Sequence, residues 1–283
     1  MSLNRFIAAA TLAASALPAV AQAQTETAPA HSALDGDYLT IGAGAIYGPS
    51  YEGSDDQVVT GFPIVTGRLA GIDITPRPGG IALDLIPDGK DPKFGFSLGP
   101  VVTYSRDRRS NIKDPVVRAA GRLKSAIDVG FNAGVTAYKL LNAYDSVTLS
   151  TDVRWNVNSA SKGMVVTPSL TYATPLSRAA LVTVGITAKH VDGDYARYYY
   201  SVTPAQSAAS GLPVFGARGG WASVGVNALA GYDLDGDVLN GGFALFALGR
   251  YSKLLNDAKT TPYTSIRGDD SQWTIGGGVA YTF

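Results

Sequence analysis

Two histidines and no cysteine leave this 283-residue chain few side chains for conventional catalysis. His31 lies in a polar N-terminal stretch, away from any patterned element. His190 is followed by Asp192 and Asp194, and a His–Asp pair beside a serine is the raw material of a hydrolase. No nucleophile motif accompanies it, so no catalytic residue is assigned. The lack of cysteine removes thiol catalysis, disulfides and thiolate metal sites together. Three acidic runs, Asp192-Gly193-Asp194, Asp233-Leu234-Asp235-Gly236-Asp237 and Asp269-Asp270, have the composition of cation loops. They lack EF-hand spacing and its terminal glutamate, and the middle run reads as a tight turn. No metal or cofactor is expected. With 23 basic and 23 acidic residues and no basic patch, nucleic acid is not an expected partner.

A larger polar set is more informative: Asp73, Asp84, Asp128, Asn132, Asp152, Arg154, Asn156, Lys189, Asn227 and Arg250. These residues alternate with apolar ones. Over 144–157, Val147, Leu149, Thr151, Val153, Trp155 and Val157 share one face of an extended strand, and Ser146, Thr148, Ser150, Asp152, Arg154 and Asn156 share the other. The preceding strand repeats the pattern, with Ile127, Val129, Phe131, Ala133 and Val135 set against Asp128, Gly130, Asn132, Gly134 and Thr136.

The last residues set the environment of that apolar face. Trp273, Ile275, Val279, Tyr281 and Phe283 lie on one side, and small or polar residues on the other, up to the final phenylalanine. An apolar stripe on a frayed C-terminus gains little in water. It suits a strand between lipid and a wet lumen. The ending resembles the C-terminal signal that the barrel assembly machinery reads in bacterial outer-membrane proteins. The start agrees with export: Arg5, an apolar stretch over Phe6–Val20 and Ala21-Gln22-Ala23 form a signal peptide over 1–23. A periplasmic lead-in over 24–37 and an outer-membrane barrel over 38–283 follow. No later stretch is long enough for a membrane helix, and lipid forbids open sheets, so the spanning structure must be a closed barrel.

The expected fold is therefore all-β: an antiparallel up-and-down transmembrane barrel of about twelve strands with periplasmic N- and C-termini. The strands fall at 38–48, 57–69, 72–76, 81–86, 94–105, 124–138, 144–157, 163–174, 179–190, 220–232, 239–252 and 272–283. Short links at 70–71, 87–93, 140–143, 175–178 and 233–238 take the periplasmic side. Longer ones at 49–56, 106–123, 191–219 and 253–271 face outward. Tyr47, Tyr104, Trp155, Tyr251 and Trp273 sit where an outer aromatic girdle belongs, and Phe94, Tyr172, Tyr232, Tyr281 and Phe283 where an inner one does. The polar set then points into the lumen, because a charge on the lipid face near the midplane costs roughly 2–4 kcal/mol. It either lines a narrow solute path or pairs with itself and fills the interior; twelve strands lie between filled barrels of ~8 and open ones of ~16. Phe246 and Leu248, opposite in phase to Phe243 and Leu245, indicate a partly plugged interior or a protein contact.

Three loop segments carry a more specific signal. They are Pro49-Ser50-Tyr51-Glu52-Gly53-Ser54; Tyr199-Tyr200-Ser201 running on to Gly211-Leu212-Pro213; and Leu254-Leu255-Asn256-Asp257-Ala258, with Pro262 and Gln272 beyond. In this order the chain resembles the MipA/OmpV family of outer-membrane proteins over nearly its whole mature length. Ser201 and Asn256 stand where that pattern has glycine, and asparagine tolerates left-handed backbone better than serine. The resemblance implies a non-enzymatic scaffold that joins a murein lytic transglycosylase to a bifunctional penicillin-binding protein. Outer-membrane lipid, lipopolysaccharide and the assembly machinery complete the expected partners. A narrow channel for small solutes is the alternative, and an outer-leaflet hydrolase built on His190 is the third reading.

Overall fold

The computed structural model describes residues 36–89 and 92–283. The expected leader over 1–23, His31 and all but the last two residues of the lead-in lie outside the described residues. Twelve antiparallel strands follow one another around a closed barrel. They are β1 (Tyr38–Pro49), β2 (Gln57–Leu69), β3 (Ile72–Arg77), β4 (Gly80–Asp84), β5 (Phe94–Ser105), β6 (Ala126–Tyr138), β7 (Ser146–Asn156), β8 (Met164–Pro175), β9 (Ala180–Val191), β10 (Gly220–Asp233), β11 (Gly242–Leu254) and β12 (Ser271–Thr282). The circle closes where β1 meets β12, with Ile41 opposite Tyr281 and Tyr47 opposite Ile275. Among the described residues no helix is long and apolar enough to cross a membrane.

Period-two alternation becomes a two-faced wall. Ile41, Tyr47, Val59, Phe96, Val129, Leu149, Leu170, Ile186, Val226, Leu245, Trp273 and Ile275 project outward and are exposed in the isolated chain. The residues next to them in sequence, which pair among themselves across strands as in Asn132–Asp152 and Ser150–Ser169, carry the serines, threonines, glycines and charges of the inner face. An exposed apolar belt of this extent is unstable in water and is satisfied by lipid. Aromatics border it: Trp273 stacks against Tyr251 with centroids 4.4 Å apart, and Phe243, Tyr281 and Phe283 form an edge-to-face chain at the other border.

Most strand limits shift by one or two residues from the sequence reading, and two larger or better-defined differences have local reasons. The strand expected from 239 begins at Gly242, because Leu239 is held in the turn by the Asp237 carboxylate and Val238 donates to the Arg178 carbonyl. The strand expected to reach Ile86 stops at Asp84, whose carboxylate accepts the backbone N–H groups of both Ile86 and Leu98 at 3.0 Å.

The wall is uneven. β1 and β2 pair along their whole length, from Tyr38–Arg68 to Pro49–Gln57. β2 and β3 share only Gly67–Ile74, Arg68–Asp73 and Leu69–Ile72, and the β4–β5 ladder runs through Gly80–Thr103, Ile81–Val102 and Ala82–Val101, with one further backbone bond from Leu85 to the Leu98 carbonyl past Pro100. Proline explains both interruptions. The Phe283 N–H donates to the Leu39 carbonyl, so odd residues of β1 address β12 and even ones address β2. Odd residues of β2 therefore turn their polar groups towards β3. Continuing the Gly67–Ile74 register would set Val65 against Pro76 and Pro63 against Pro78, and three N–H donors are missing on that line. On the other side the Tyr104 N–H donates to the Gly79 carbonyl, so even residues of β5 address β4, where Pro100 has nothing to donate.

The long connections are structured. α1 (Pro115–Ala119) lies between β5 and β6, α2 (Gly193–Tyr200) and α3 (Pro204–Ser210) between β9 and β10, and α4 (Asn256–Thr260) and α5 (Pro262–Ser265) between β11 and β12. Capping fixes their starts. Asp114 accepts from Val116 and Val117, Asp192 from Tyr195, and Thr203 forms a capping box with Gln206. These loops meet one another over one end of the barrel, and the connections β2–β3, β4–β5, β6–β7, β8–β9 and β10–β11, with the start of β1 and the end of β12, occupy the other.

Candidate functional site

The cap is built largely from the residues that carried the family signal. Tyr51, Val202, Leu212 and Tyr263 join Ile112, Val117 and Ala120 in one buried cluster. Tyr195, Tyr199, Tyr200, Leu254 and Ala258 join Val191 and Ala222 in another. Tyr51 donates to the carbonyls of Tyr263 at 3.2 Å and Arg267 at 3.1 Å. Gly53 has φ 98°, its N–H donates to Gln272 Oε1 at 3.1 Å, and a Cβ there would run into Thr264 Oγ1. The Ser50 and Ser54 hydroxyls bond each other at 2.9 Å. Gly211 closes α3 in the left-handed conformation, with Leu212 and Pro213 directly after it. Leu255 precedes α4, and the Asp257 carboxylate accepts the Arg218 N–H at 2.7 Å. Asn256 adopts φ 45°, the left-handed geometry glycine would have served, whereas Ser201 is extended at φ −74° and accepts the Ala217 N–H. Pro49 is the last residue of β1, at the base of the first cap loop.

Beneath the cap lies a charged cluster that the sequence pattern left scattered. Lys189 Nζ contacts Glu52 Oε2 at 2.7 Å and stands 4.7 Å from the centre of the Tyr195 ring. The Tyr200 hydroxyl donates to the same Glu52 oxygen at 3.2 Å. Asp107 accepts the Glu52 N–H at 2.8 Å. Burial, and then the Glu52 charge, push the Asp107 carboxyl above its ordinary range. Arg108 is fully buried; its Nη1 donates to the Tyr199 carbonyl at 3.0 Å, and its guanidinium lies 3.8 Å from the Tyr263 ring centre. Arg267 clamps Asp114 through two nitrogens at 2.7 and 3.0 Å. Burial opposes the Asp114 charge, but Arg267 and the helix N–H groups outweigh it and hold the carboxyl below its usual range. Arg108 and Arg267 escaped the sequence reading because arginines in polar loops look solvated until the loops are folded together.

Two pairs of the expected lumen residues bond each other, Asn132 with Asp152 and Asn156 with Asp128, and most of the rest bond neighbours outside the set. Asp152 accepts from Arg77 at 2.9 and 3.3 Å and from Asn132 at 2.6 Å. Arg154 donates to Thr103 at 2.9 Å and Thr167 at 3.1 Å. Asn156 bonds Asp128 at 3.0 Å, Asn227 accepts from Thr187 at 3.3 Å, and Arg68 holds Asp73 at 2.7 and 2.8 Å. Asp84 is spent on backbone, as described. Arg250 lies opposite Asn227 on β11 and is the exposed member of the set.

The opposite wall is apolar. Phe62 on β2 and Phe246 on β11 face the lumen and meet edge to face at 6.1 Å across two intervening strands. They meet because Gly44 and Gly278 lie between them: a Cβ on either would come within 2.9 Å of the Phe246 ring. Ile46, Ile64 and Leu248 share this inner face by register. The small residues of the C-terminal strand thus make room for aromatic rings.

His190 is not part of a charge relay. Its ring packs edge to face on Trp221 at 5.2 Å, Asp192 caps α2, and Asp194 pairs with Arg197. In the 233–237 run, Asp233 accepts the N–H groups of Asp235 and Asp237 and closes a turn. Asp270 is held by Lys253 and Lys259. Among the described residues no cluster of three or more metal-binding side chains occurs.

At the turn end, large apolar side chains are exposed in or directly beside all five connections: Leu69; Leu85 and Ile86; Leu140, Leu141 and Tyr144; Leu176; Leu234 and Leu239. Leu141 and Tyr144 are 82% and 81% accessible, and their turn is braced by the Asp145 carboxylate, which accepts the N–H groups of Leu140 and Leu141. Sequence alone does not separate these leucines from those of the strands they follow.

The model of the family described as MltA-interacting protein MipA matches residues 41–283. No curated protein matches the chain. Among solved structures, an outer membrane channel of the COG4313 group from Pseudomonas putida F1 is 12% identical at TM-score 0.45, covering 91% of this chain and all of that one. The outer membrane protein OprD from Pseudomonas aeruginosa is 14% identical at TM-score 0.36, covering 87% of this chain and 65% of that one. The toluene transporter TodX from Pseudomonas putida is 10% identical at TM-score 0.36, covering 88% and 89%.

Proposed function

The chain belongs to the MltA-interacting protein MipA family, an outer-membrane barrel in its architecture, and from this we propose that it is a non-enzymatic scaffold for murein-remodelling enzymes. Its partners would be a lytic transglycosylase and a bifunctional penicillin-binding protein. The observation that carries this reading is the apolar rim of the short turns. With the termini and these turns in the periplasm, as in other bacterial barrels, the rim faces the compartment where murein is built and cut. The cap faces outward, and its loops are packed and bonded mainly to one another. The family-distinctive loops then serve to seal and stiffen the barrel, and docking falls to the opposite end. Lipid and lipopolysaccharide would cover the apolar belt, and the assembly machinery would read Trp273 to Phe283.

A solute path along the axis is less favoured, because the charges that would line it are paired across the inner face. A hydrolase is disfavoured by the engagement of Asp192 and Asp194 away from His190. Mild crosslinking of intact membranes, followed by purification of the barrel, should enrich the transglycosylase and the penicillin-binding protein at least fivefold over a porin control. Equal recovery with both barrels would end the scaffold reading.

A further inference from the structure

We propose that the interrupted wall between β2 and the β3–β4 hairpin is a lateral portal, through which the alkyl or aryl part of a small single-chain amphiphile passes between lumen and bilayer. The inference is independent of docking at the turn end. It starts from the ladder: beyond Gly67–Ile74 the outer part of β2 has register partners only on β1 among the described residues. The break lies at membrane depth, because outward Pro63 and Val65 pair with Ala43 and Ile41 of the lipid-facing belt. Open backbone is tolerated at that depth only against protein or a watery space, so the break must communicate with the lumen.

The edge is built to stay open. Pro63 and Pro76 withhold donors on its two sides, which argues against completion by a strand from another molecule. The inner face beside it is the apolar one. Phe62 and Ile64 are on the open strand itself, and Phe246 packs on Phe62 from beyond Gly44 and Gly278. The far wall offers Thr148, Ser150, Thr171 and Asn227 for a polar end group. The hairpin tip is tied to the polar wall by Arg77, which bonds Asp152 of β7 at 2.9 Å.

The test uses the full-length chain folded in phospholipid nanodiscs, with diazirine-bearing palmitic acid as probe and adducts mapped by mass spectrometry. Lumen-facing Phe62 and Phe246 should be labelled within about threefold of lipid-facing Val59, and Thr148 at least tenfold less. Stapling the break after folding, with a short bis-maleimide across Val65→Cys and Pro76→Cys, should cut the Phe62 and Phe246 adducts at least fivefold and leave Val59 unchanged. These two thiols would be the only ones in the chain. Background labelling of Phe62 and Phe246, or labelling that ignores the staple, would overturn the portal. Lumen labelling by a diazirine phospholipid but not by the fatty acid would overturn the assignment to a single-chain amphiphile. Because the staple is added to folded protein, comparing the same variant before and after crosslinking separates closure from misfolding.

Discussion

The two ends of this barrel solve opposite problems. At the cap end, loops from four places on the rim bury tyrosines, an arginine and a left-handed glycine against one another. At the turn end, carboxylate–backbone bonds from Asp84, Asp145 and Asp233 brace three of the connections, and leucines and a tyrosine are left uncovered. On the scaffold proposal, the residues most distinctive of the family serve structure, and the docking surface is made from common residues. A motif can mark a family without marking the place where that family acts.

Gly53→Ala should break this contrast most severely. The new methyl strains a left-handed backbone and strikes Thr264, a cost of about 2–4 kcal/mol. Limited proteolysis should cut the cap loops while the barrel keeps its heat-modifiable gel shift. Asp114→Ala comes next. It removes the cap of α1 and leaves Arg267 without its carboxylate, at about 2 kcal/mol, read as earlier loss of the cap's near-ultraviolet signal on heating.

Acid should sharpen the comparison more gently. Lys253 and then Lys259 bring the Asp270 carboxyl down to about 2. Its folded value is below its unfolded one, so its stabilisation is complete above the ordinary carboxyl range and is lost as pH falls through about 2. Asp114 shifts in the same direction. Asp107 is raised, so its contribution runs the other way and diminishes as pH rises. Cap melting followed from about pH 5 to about pH 2 should fall, and Lys259→Ala should flatten part of that fall. The smallest effect on folding belongs to Leu141→Asp with Tyr144→Asp. Both side chains are exposed, so stability should change by less than about 0.5 kcal/mol, measured by urea unfolding in lipid.

The barrel was legible in the sequence because lipid on one side and water on the other impose a strict period of two. Val147 to Val157 and Trp273 to Phe283 obey it, and each strand lies within a few residues of its expected place. The site was less legible. Glu52, Arg108, Lys189 and Tyr200 are far apart in the chain and are joined only by loop packing. The interruption beside β2 was written in Pro63, Pro76 and Pro78, yet it becomes visible only once the register assigns their nitrogens to one line. Asn256 and Ser201 both stand where the family pattern has glycine, and only the fold separates them: Asn256 keeps left-handed backbone at φ 45°, whereas Ser201 is extended.

The most direct test of the central claim places a photocrosslinking amino acid singly at Leu141, at Tyr144 and at the exposed Ala209 in the cap, in living cells of the source organism. Adducts are then identified with antibodies to the lytic transglycosylase and the penicillin-binding protein. The scaffold account predicts enzyme adducts from Leu141 and Tyr144 and none from Ala209. Adducts from Ala209 alone, or from no position while the barrel is present at its normal level, would contradict it.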